Sequence, residues 1–156
     1  AIAISQAVKK IALVGIFQDQ AFATVNRITK KLNLDYIQLS GNESVSFVKK
    51  CSKPVIKAIS VKTKDDIKKA KSYLPHVSHI LLDGSVPGSG QRITVNLKNI
   101  PYPYLLAGGV TPNNVGRIVK RTHPVGVDVA SGVETNGKLD FKKIRSILNQ
   151  LNSMLL

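Results

Sequence analysis

Short apolar runs alternate with amphipathic stretches along this chain, and that alternation limits the fold more than any single motif does. The apolar runs predict buried strands, whereas stretches with apolar residues three or four positions apart predict helices. The predicted strands are residues 12–17, 36–39, 55–61, 80–82, 104–107 and 125–130. The predicted helices are residues 21–32, 44–51, 64–73 and 112–121, with a final helix that follows Asp140 and reaches Leu155.

Strands that are apolar throughout, each followed by a helix, predict an α/β fold in which helices cover a parallel sheet. Six such strands fit a doubly wound open sheet. They also fit the (β/α)8 TIM barrel family, with about six βα units present in this chain. The sequence has neither the glycine fingerprint of dinucleotide-binding folds nor the lysine motif of P-loop proteins.

The composition is that of a globular domain. The 156 residues are 43% hydrophobic and 21% charged, and no apolar run reaches the roughly 18 residues that a membrane span requires. No charged start followed by an apolar segment is visible, so we expect a cytoplasmic protein without a signal peptide. Cys51 is the single cysteine, which excludes an internal disulfide framework and a cysteine-rich zinc site. We expect no metal and no cofactor.

The chain has a formal net charge of +14, with 23 Lys and Arg against nine Asp and Glu. Many of the cations occur as pairs in helix-like stretches, for example Lys30–Lys31 and Lys120–Arg121. We interpret them as solvated helix faces, and a positive field also suits a small phosphorylated substrate. A nucleic-acid partner is not favoured, because aromatic residues make up 5% of the chain and Trp is absent. A homo-oligomer stays an open alternative.

In parallel α/β folds, functional residues collect at the carboxyl ends of the strands. The last two predicted strands end in glycine-rich loops, with Gly108 and Gly109 after one and Ser131 and Gly132 after the other. Glycine lets the main chain approach a phosphate closely, while backbone N–H groups and the Ser131 hydroxyl would donate hydrogen bonds. One Gly-Gly pair is typical of a tight turn, but two such loops on consecutive strands favour a phosphate site.

Two aspartates lie at the same predicted edge. Asp83 ends the strand at 80–82 and is a candidate general acid or base, with a simple Asp-Gly turn as an equal alternative. Asp128 could orient a sugar hydroxyl or its own loop. Lys57 either lines the mouth of the sheet or reaches its rim. Cys51 ends a helix and the three histidines precede strands, which favours structural roles for all four.

The ordered set of strand ends resembles the phosphoribosylanthranilate isomerase family, small (β/α)8 barrel enzymes of tryptophan biosynthesis. The resemblance covers essentially the whole chain, and the stretches after the last two strands are its most specific part. The matching stretches are residues 14–17, 37–43, 55–59, 81–83, 88–90, 106–115 and 127–134. Their shared order carries more weight than any one stretch does.

The resemblance implies an Amadori rearrangement, in which N-(5-phosphoribosyl)anthranilate becomes 1-(2-carboxyphenylamino)-1-deoxyribulose 5-phosphate. Asp83 matches the family's aspartate acid, which protonates the ring oxygen of the ribose. The two glycine loops match the family's phosphate loops, and Asp128 lies in the same matching stretch as the second loop. We therefore expect Asp83 to be catalytic and the following residues to bind the substrate: Gly108, Gly109, Asp128, Ser131 and Gly132.

The sequence also departs from the family. The family's opening strand carries Cys-Gly-Ile-Thr, whose cysteine is the base; this motif is absent here, and Cys51 does not align with it. Ser40 stands where members commonly have His, and residues 93–95 replace an aromatic-acidic-aromatic patch. We expect residues 1–156 to form a single, incomplete barrel domain that lacks the first two βα units. The alternatives are a non-catalytic or repurposed phosphate-binding remnant and, less favoured, a basic nucleic-acid-binding protein.

Overall fold

The computed structural model describes residues 11–84, 97 and 99–154. These residues belong to two compact units. The first comprises the chain up to Ile59 together with Lys68–Leu81, and the second comprises Ser60–Ile67 together with the chain from Leu82 onwards. None of the helices in the described part of the chain is long and apolar enough to cross a membrane.

The first unit is built on parallel strands. Strands β1 and β2 pair with Gly15 opposite Ile37, and strands β2 and β3 pair with Leu39 opposite Lys57. Two short 3-10 turns, Ala70–Ser72 and Leu74–His76, precede the next strand. The elements that lie wholly or partly in this unit are β1 (Val14–Phe17), α1 (Phe22–Leu32), β2 (Tyr36–Leu39), α2 (Val45–Val48), β3 (Val55–Ser60), α3 (Lys64–Lys69) and β4 (His79–Asp83).

The core of the first unit follows from the sequence pattern. Phe17, Val25, Ile37 and Leu39 are buried together, so α1 turns its apolar face towards the strands. Helix α1 ends at Asn33, which has a φ of 46°, and the Asn33 N–H donates to a carbonyl of the last turn. Asparagine tolerates this left-handed conformation, which makes it a suitable residue for a helix end.

The second unit holds the last strands and helices. Strands β5 and β6 are parallel, with Leu105 opposite Gly126, and β7 and β8 form an antiparallel hairpin. Asn136 and Gly137 turn this hairpin with φ values of 53° and 73°, as the tightest hairpin turns require. The elements are the end of β4, β5 (Tyr104–Ala107), α4 (Val115–Thr122), β6 (Gly126–Val127), β7 (Glu134–Thr135), β8 (Lys138–Leu139) and α5 (Phe141–Asn152).

Several element boundaries differ from the sequence expectations. The strand expected at 125–130 is restricted to Gly126–Val127. The helix expected from 112 begins at Val115, because the Asn114 side chain accepts the N–H of Thr111 and holds the preceding residues in a turn. The first strand is not buried throughout, since Ile16 is 66% exposed. Side chains alternate along a strand, so Ile16 points away from the face that buries Phe17.

Candidate active site

The second unit brings together all six residues that the sequence singled out as a site. Asp83 is the last residue of β4, and Asp128 follows directly after β6. Both strand ends are fastened to β5: the Gly84 N–H donates to the Ala107 carbonyl at 3.3 Å, and the Asp128 N–H donates to the Leu106 carbonyl at 2.8 Å. The two carboxylates therefore leave the sheet at the carboxyl ends of strands that flank β5.

The two carboxylates interact electrostatically. Desolvation by the surrounding protein raises the pKa of Asp128, and the charge of Asp83 raises it further, although the N–H of Val129 acts in the opposite direction. The residue as a whole is nonetheless exposed, so its carboxyl combines a partly desolvated position with access to solvent. Asp128 therefore keeps its proton to a higher pH than an ordinary aspartate does.

The two glycine loops contact each other through their backbones. Gly108 and Gly109 have φ values of 102° and 65°, which side-chain-bearing residues rarely adopt. At Gly132, an added Cβ would lie 1.8 Å from the carbonyl oxygen of Val110. Glycine is therefore required on both loops, on one for its conformation and on the other for the close approach. Ser131 begins the short 3-10 turn Ser131–Val133 and is exposed beside this contact.

A buried asparagine fixes the first glycine loop. The Asn114 amide nitrogen donates to the Gly109 carbonyl at 2.8 Å, and its oxygen accepts the Thr111 N–H at 2.8 Å. Asn114 is 8% exposed, so both bonds are shielded from water. Sequence reasoning placed Asn114 in a family stretch without giving it this role. The sequence does contain a signal for this role. Asn114 lies three residues after Thr111 and just before the helix, and asparagine at such a position typically bonds to the backbone of the preceding turn.

The second loop is anchored to the start of α5. Asp140 caps this helix by accepting the N–H groups of Lys142 and Lys143 at 2.9 and 3.3 Å. Its other oxygen accepts the Thr135 hydroxyl at 2.8 Å, which ties the hairpin to the helix. The Thr135 hydrogen bond, followed by the helix N–H groups, holds the pKa of Asp140 below its usual value. The hairpin that follows Gly132 is thus attached to a helix and not left as a loose loop.

The first unit contains a buried ion pair at its own strand ends. The Lys57 ammonium, with the residue 2% exposed, donates to Glu43 Oε2 at 3.2 Å and to the carbonyls of Leu39, Gly41 and Ala58 at 3.0, 2.6 and 3.0 Å. Burial lowers the pKa of Lys57, and Glu43 opposes that effect. Lys57 neither lines an open mouth nor reaches a rim, because its ammonium is fully engaged in holding the loop after β2.

Glu43 extends this clamp to the loop after β1. Its Oε1 accepts the Asp19 N–H at 2.9 Å, and its Oε2 also accepts the Gly41 N–H at 3.1 Å. The Tyr73 hydroxyl donates to the Glu43 carbonyl at 3.0 Å. Sequence reasoning missed Glu43 as a partner, because a buried pair 14 residues apart has no local motif. We call Lys57, Glu43 and the loops they join the lysine clamp.

Cys51 and the histidines stand apart from these strand ends. Burial, assisted by the charge of Glu43, raises the pKa of the Cys51 thiol, which disfavours the nucleophilic thiolate. His76 lies in a 3-10 turn, His79 begins β4 and His123 ends α4. Over the described residues, no group of three His, Cys, Asp or Glu side chains is arranged to hold a metal ion. The sequence stretches at 88–90 and 93–95 lie outside the described residues.

Comparison with known proteins identifies the family of this chain. The model of the family N-(5'-phosphoribosyl)anthranilate isomerase matches residues 1–150. The N-(5'-phosphoribosyl)anthranilate isomerase of Oceanobacillus iheyensis is 36% identical over 149 residues, which are 90% of this chain and 72% of the relative. The multifunctional tryptophan biosynthesis protein of Schizosaccharomyces pombe is 34% identical over 143 residues, and the match covers 91% of this chain but 19% of that longer protein.

A solved structure shows that the similarity extends from the sequence to the fold. The crystal structure of phosphoribosylanthranilate isomerase from Thermotoga maritima matches 97% of this chain and 78% of that chain, with a TM-score of 0.86 and 27% identity. The strand-and-helix pattern thus defines an α/β protein of TIM-barrel type whose second unit carries the glycine loops. The chain belongs to the phosphoribosylanthranilate isomerase family, enzymes of tryptophan biosynthesis. The predicted family, the isomerase function and the enzyme class are confirmed.

Proposed function

We propose that the second unit supplies the acid and the phosphate site for the isomerisation of N-(5-phosphoribosyl)anthranilate. Asp83 donates a proton to the ring oxygen as the bond between that oxygen and C1 breaks, while the anthranilate nitrogen forms a double bond to C1. A base then removes the proton from C2, and the resulting enamine rearranges to the 2-keto product. The position of Asp83 at the end of β4, beside the end of β5, supports the role of proton donor.

The substrate phosphate binds between the two glycine loops. The observation that carries this proposal is the close approach of Gly132 to the Val110 carbonyl, together with the positive φ values of Gly108 and Gly109. This backbone brings two loops of consecutive strands to one place and leaves the Ser131 hydroxyl exposed beside them. Backbone N–H groups and a hydroxyl are the donors that a phosphate prefers at such loops.

Asp128 contacts the sugar in this proposal. Its carboxyl lies near enough to Asp83 for the charge of one to raise the pKa of the other, so both groups face the same reacting region. A carboxylate accepts a hydrogen bond from a sugar hydroxyl, and the protonated form, which a raised pKa favours, can also donate one. Asp128 therefore orients a ribose hydroxyl relative to the acid.

The wider organisation of the protein is proposed on the same evidence. Residues 1–156 belong to one barrel domain, of which about six βα units lie in this chain, and the family match over residues 1–150 supports this. We place the enzyme in the cytoplasm, and we keep association with a second copy as an alternative.

The second candidate is a protein that binds phosphorylated sugars without turning them over. The observation that favours it is the raised pKa of the Cys51 thiol, because a thiol that resists ionisation is a poor base and Cys51 is the single cysteine of this sequence. Loss of a catalytic base reduces turnover by a factor on the order of 10²–10⁴. Both candidates share the phosphate site, so binding alone does not separate them.

Turnover of N-(5-phosphoribosyl)anthranilate, followed by loss of its fluorescence, tests the proposal. We expect the wild-type chain to convert the substrate and Asp83→Asn to lose a factor on the order of 10²–10⁴ in kcat, because asparagine keeps the volume but is not an acid. Asp35→Asn is the matched control. Asp35 is an exposed aspartate of the first unit that accepts a hydrogen bond from the Leu13 N–H and is not part of the proposed site. An active Asp83→Asn variant would make Asp83 a turn residue, and an inactive wild type that still binds the product would favour the second candidate.

A further inference from the structure

Two helices of the second unit carry positive charge that the proposed reaction does not use. Helices α4 and α5 pack together around Val115 and Ile147, so their other faces point outwards. Each helix carries three cations, and neither contains an acidic residue. The cations are Arg117, Lys120, Arg121, Lys142, Lys143 and Arg145.

Five of these six cations are exposed and have no acidic partner among the residues that the structure describes. Lys143 is the exception, because its ammonium donates to the Glu134 carbonyl and so stabilises the hairpin. In the described part of the chain, no Asp or Glu lies within ion-pair distance of the other five. We call these five side chains, Arg117, Lys120, Arg121, Lys142 and Arg145, the α4–α5 face.

Another helix of the same chain shows a different arrangement. Helix α3 has Asp65 and Asp66 in its first turn and Lys68 and Lys69 in its last, where each sign suits the helix dipole. With Lys64, its three cations face two acidic residues of the same helix. In α4, Lys120 and Arg121 also lie in the last turn, where the dipole favours cations. The charge on α4 alone is therefore explained by helix stability.

Helix α5 is not explained in this way. Lys142 lies in its first turn and Arg145 follows at the start of the next, although the N-terminal end of a helix already carries partial positive charge. Acidic residues are the stabilising choice at these positions, and the first turn has none. Because helix stability disfavours Lys142 and Arg145, an external anion accounts for them better than the helix does.

The α4–α5 face borders three shallow grooves, and neighbouring grooves share a lining residue. Arg117, Lys120 and Arg121 line a groove of about 560 Å³, together with Gln150. Gln150 also lines a groove of about 490 Å³ with Lys142 and Arg145. Arg121 also lines a third groove, of about 350 Å³. The cations thus border a continuous surface, and Gln150 joins the first two grooves while its amide nitrogen donates to the Pro112 carbonyl at 2.8 Å.

We propose that the α4–α5 face binds the phosphate backbone of a nucleic acid. The cations are spread along two helices and over several grooves, so a polymer with repeated phosphates can contact many of them at once, whereas one small phosphate cannot. Phe141, 80% exposed, is the aromatic side chain of the Lys142–Arg145 groove, and one ring offers little surface for base stacking. Recognition is therefore of the backbone and independent of base sequence.

This proposal departs from the sequence interpretation for these two helices alone. Paired cations elsewhere keep the interpretation of solvated faces. None of the five residues takes part in the proposed phosphate or acid site, so nucleic-acid binding and isomerisation can be tested separately.

The experiment measures fluorescence anisotropy of a labelled mixed-sequence DNA duplex of about 20 base pairs, and of a labelled RNA strand of similar length, between about 50 and 200 mM salt. One variant replaces the face by glutamine: Arg117→Gln, Lys120→Gln, Arg121→Gln, Lys142→Gln and Arg145→Gln. The matched control removes five exposed cations of the first unit: Arg27→Gln, Lys30→Gln, Lys31→Gln, Lys49→Gln and Lys50→Gln. Both variants have the same net charge, and circular dichroism checks that both fold.

We expect the face variant to lose at least tenfold in affinity at about 100 mM salt, and its plot of log affinity against log salt to become shallower by about four. The control should stay within about threefold of the wild type. Equal losses in both variants would overturn the proposal, because net charge alone would then drive binding. No wild-type binding at about 150 mM salt would also overturn it, as would equally tight binding of polyglutamate, which would indicate an acidic protein partner.

Discussion

The two units fix their strand-end loops by different physical means. The first unit uses side chains: the lysine clamp joins Lys57 and Glu43 through a buried ion pair and backbone carbonyls. The second unit relies mainly on the main chain: Gly132 approaches the Val110 carbonyl so closely that no side chain fits. The Asn114 amide, in addition, donates a hydrogen bond to the Gly109 carbonyl of the first glycine loop. The clamp fills its own interior with polar groups, whereas the glycine loops meet directly through their backbones.

This contrast explains why only one of the two regions is a candidate substrate site. The Lys57 ammonium donates to four acceptors and has no donor left for a ligand. Ser131, in contrast, is exposed beside the contact between the glycine loops. The buried charged pair is therefore a structural device, and the glycine loops are the proposed substrate site.

Breaking the clamp should give the largest loss of stability. Lys57→Met leaves the carboxylate of Glu43, 6% exposed, without its counter-ion, and we expect a loss of about 4 kcal/mol in the free energy of unfolding. Urea denaturation followed by circular dichroism measures it. The double variant Lys57→Met with Glu43→Gln should recover part of the loss, because it removes the uncompensated charge.

The control for the clamp is Lys50→Met, at an exposed position, which should change stability by less than about 0.5 kcal/mol. An equal loss in Lys57→Met and Lys50→Met would show that the ion pair contributes nothing. No recovery in the double variant would show that the hydrogen bonds to the carbonyls, and not the buried charge, hold the loops.

The second prediction concerns the glycine contact. Gly132→Ala places a methyl group 1.8 Å from the Val110 oxygen, so the two loops must separate, and we expect a loss of about 3 kcal/mol in stability together with the loss of phosphate binding. Gly137→Ala is the matched control, because Gly137 has a φ of 73° but no atom within 4 Å of an added Cβ. It should cost about 1 kcal/mol from the conformation alone and leave phosphate binding unchanged. Equal effects of the two substitutions would show that strain, and not the contact, matters at Gly132.

A third prediction concerns Asp128, whose pKa is shifted in the opposite direction to that of Asp140. The folded-state pKa of Asp128 is raised by desolvation and by Asp83, so its charge disfavours folding above that pKa. Asp128→Asn should therefore raise the melting temperature at pH 7 and have little effect below the ordinary pKa of aspartate, near about 3.9. The same variant should lower turnover if Asp128 orients the sugar. Differential scanning fluorimetry across pH measures the first effect, and a stabilisation that persists at low pH would contradict its electrostatic origin.

Asp140 should behave in the opposite way. Its folded-state pKa is lowered by the Thr135 hydroxyl and the helix N–H groups, so its stabilising effect is present above the unfolded pKa and is lost as the pH falls through the folded value. Asp140→Asn should lower the melting temperature at pH 7, by a small amount because the group is exposed, and the difference should vanish at low pH. A difference that is independent of pH would show that the cap acts through geometry alone.

Periodicity and turn chemistry made much of the second unit predictable. The glycines after consecutive apolar runs predicted loops in which the main chain approaches a phosphate, and that remains a prediction. The close approach of Gly132 to the Val110 carbonyl was not predicted, although it also requires glycine. The shared order of these stretches also predicted the family. Asp83 was placed correctly at the end of β4, because it directly follows an apolar run. Asp128 was expected inside a strand over 125–130, whereas the structure places it directly after β6.

The clamp was not predictable from local patterns. Lys57 sits within an apolar strand, and its partner Glu43 belongs to a distant loop, so the pair exists only once β2 and β3 are in register. The start of α4 was misjudged because Pro112 signals a first helical turn, whereas the two bonds of Asn114 hold residues before Val115 in a turn. Long-range polar contacts override local signals in both cases.

The most direct test of the phosphate site compares the product of the family's reaction with its dephosphorylated form by isothermal titration calorimetry. The wild-type chain should bind 1-(2-carboxyphenylamino)-1-deoxyribulose 5-phosphate about 100-fold more tightly than the form without phosphate, since several charge-assisted hydrogen bonds depend on that group. Gly132→Ala should bind both forms equally weakly, while Gly137→Ala should keep the full preference. A wild-type chain that binds the two forms with equal affinity would contradict the assignment of the phosphate to the loops at Gly108–Gly109 and Ser131–Gly132.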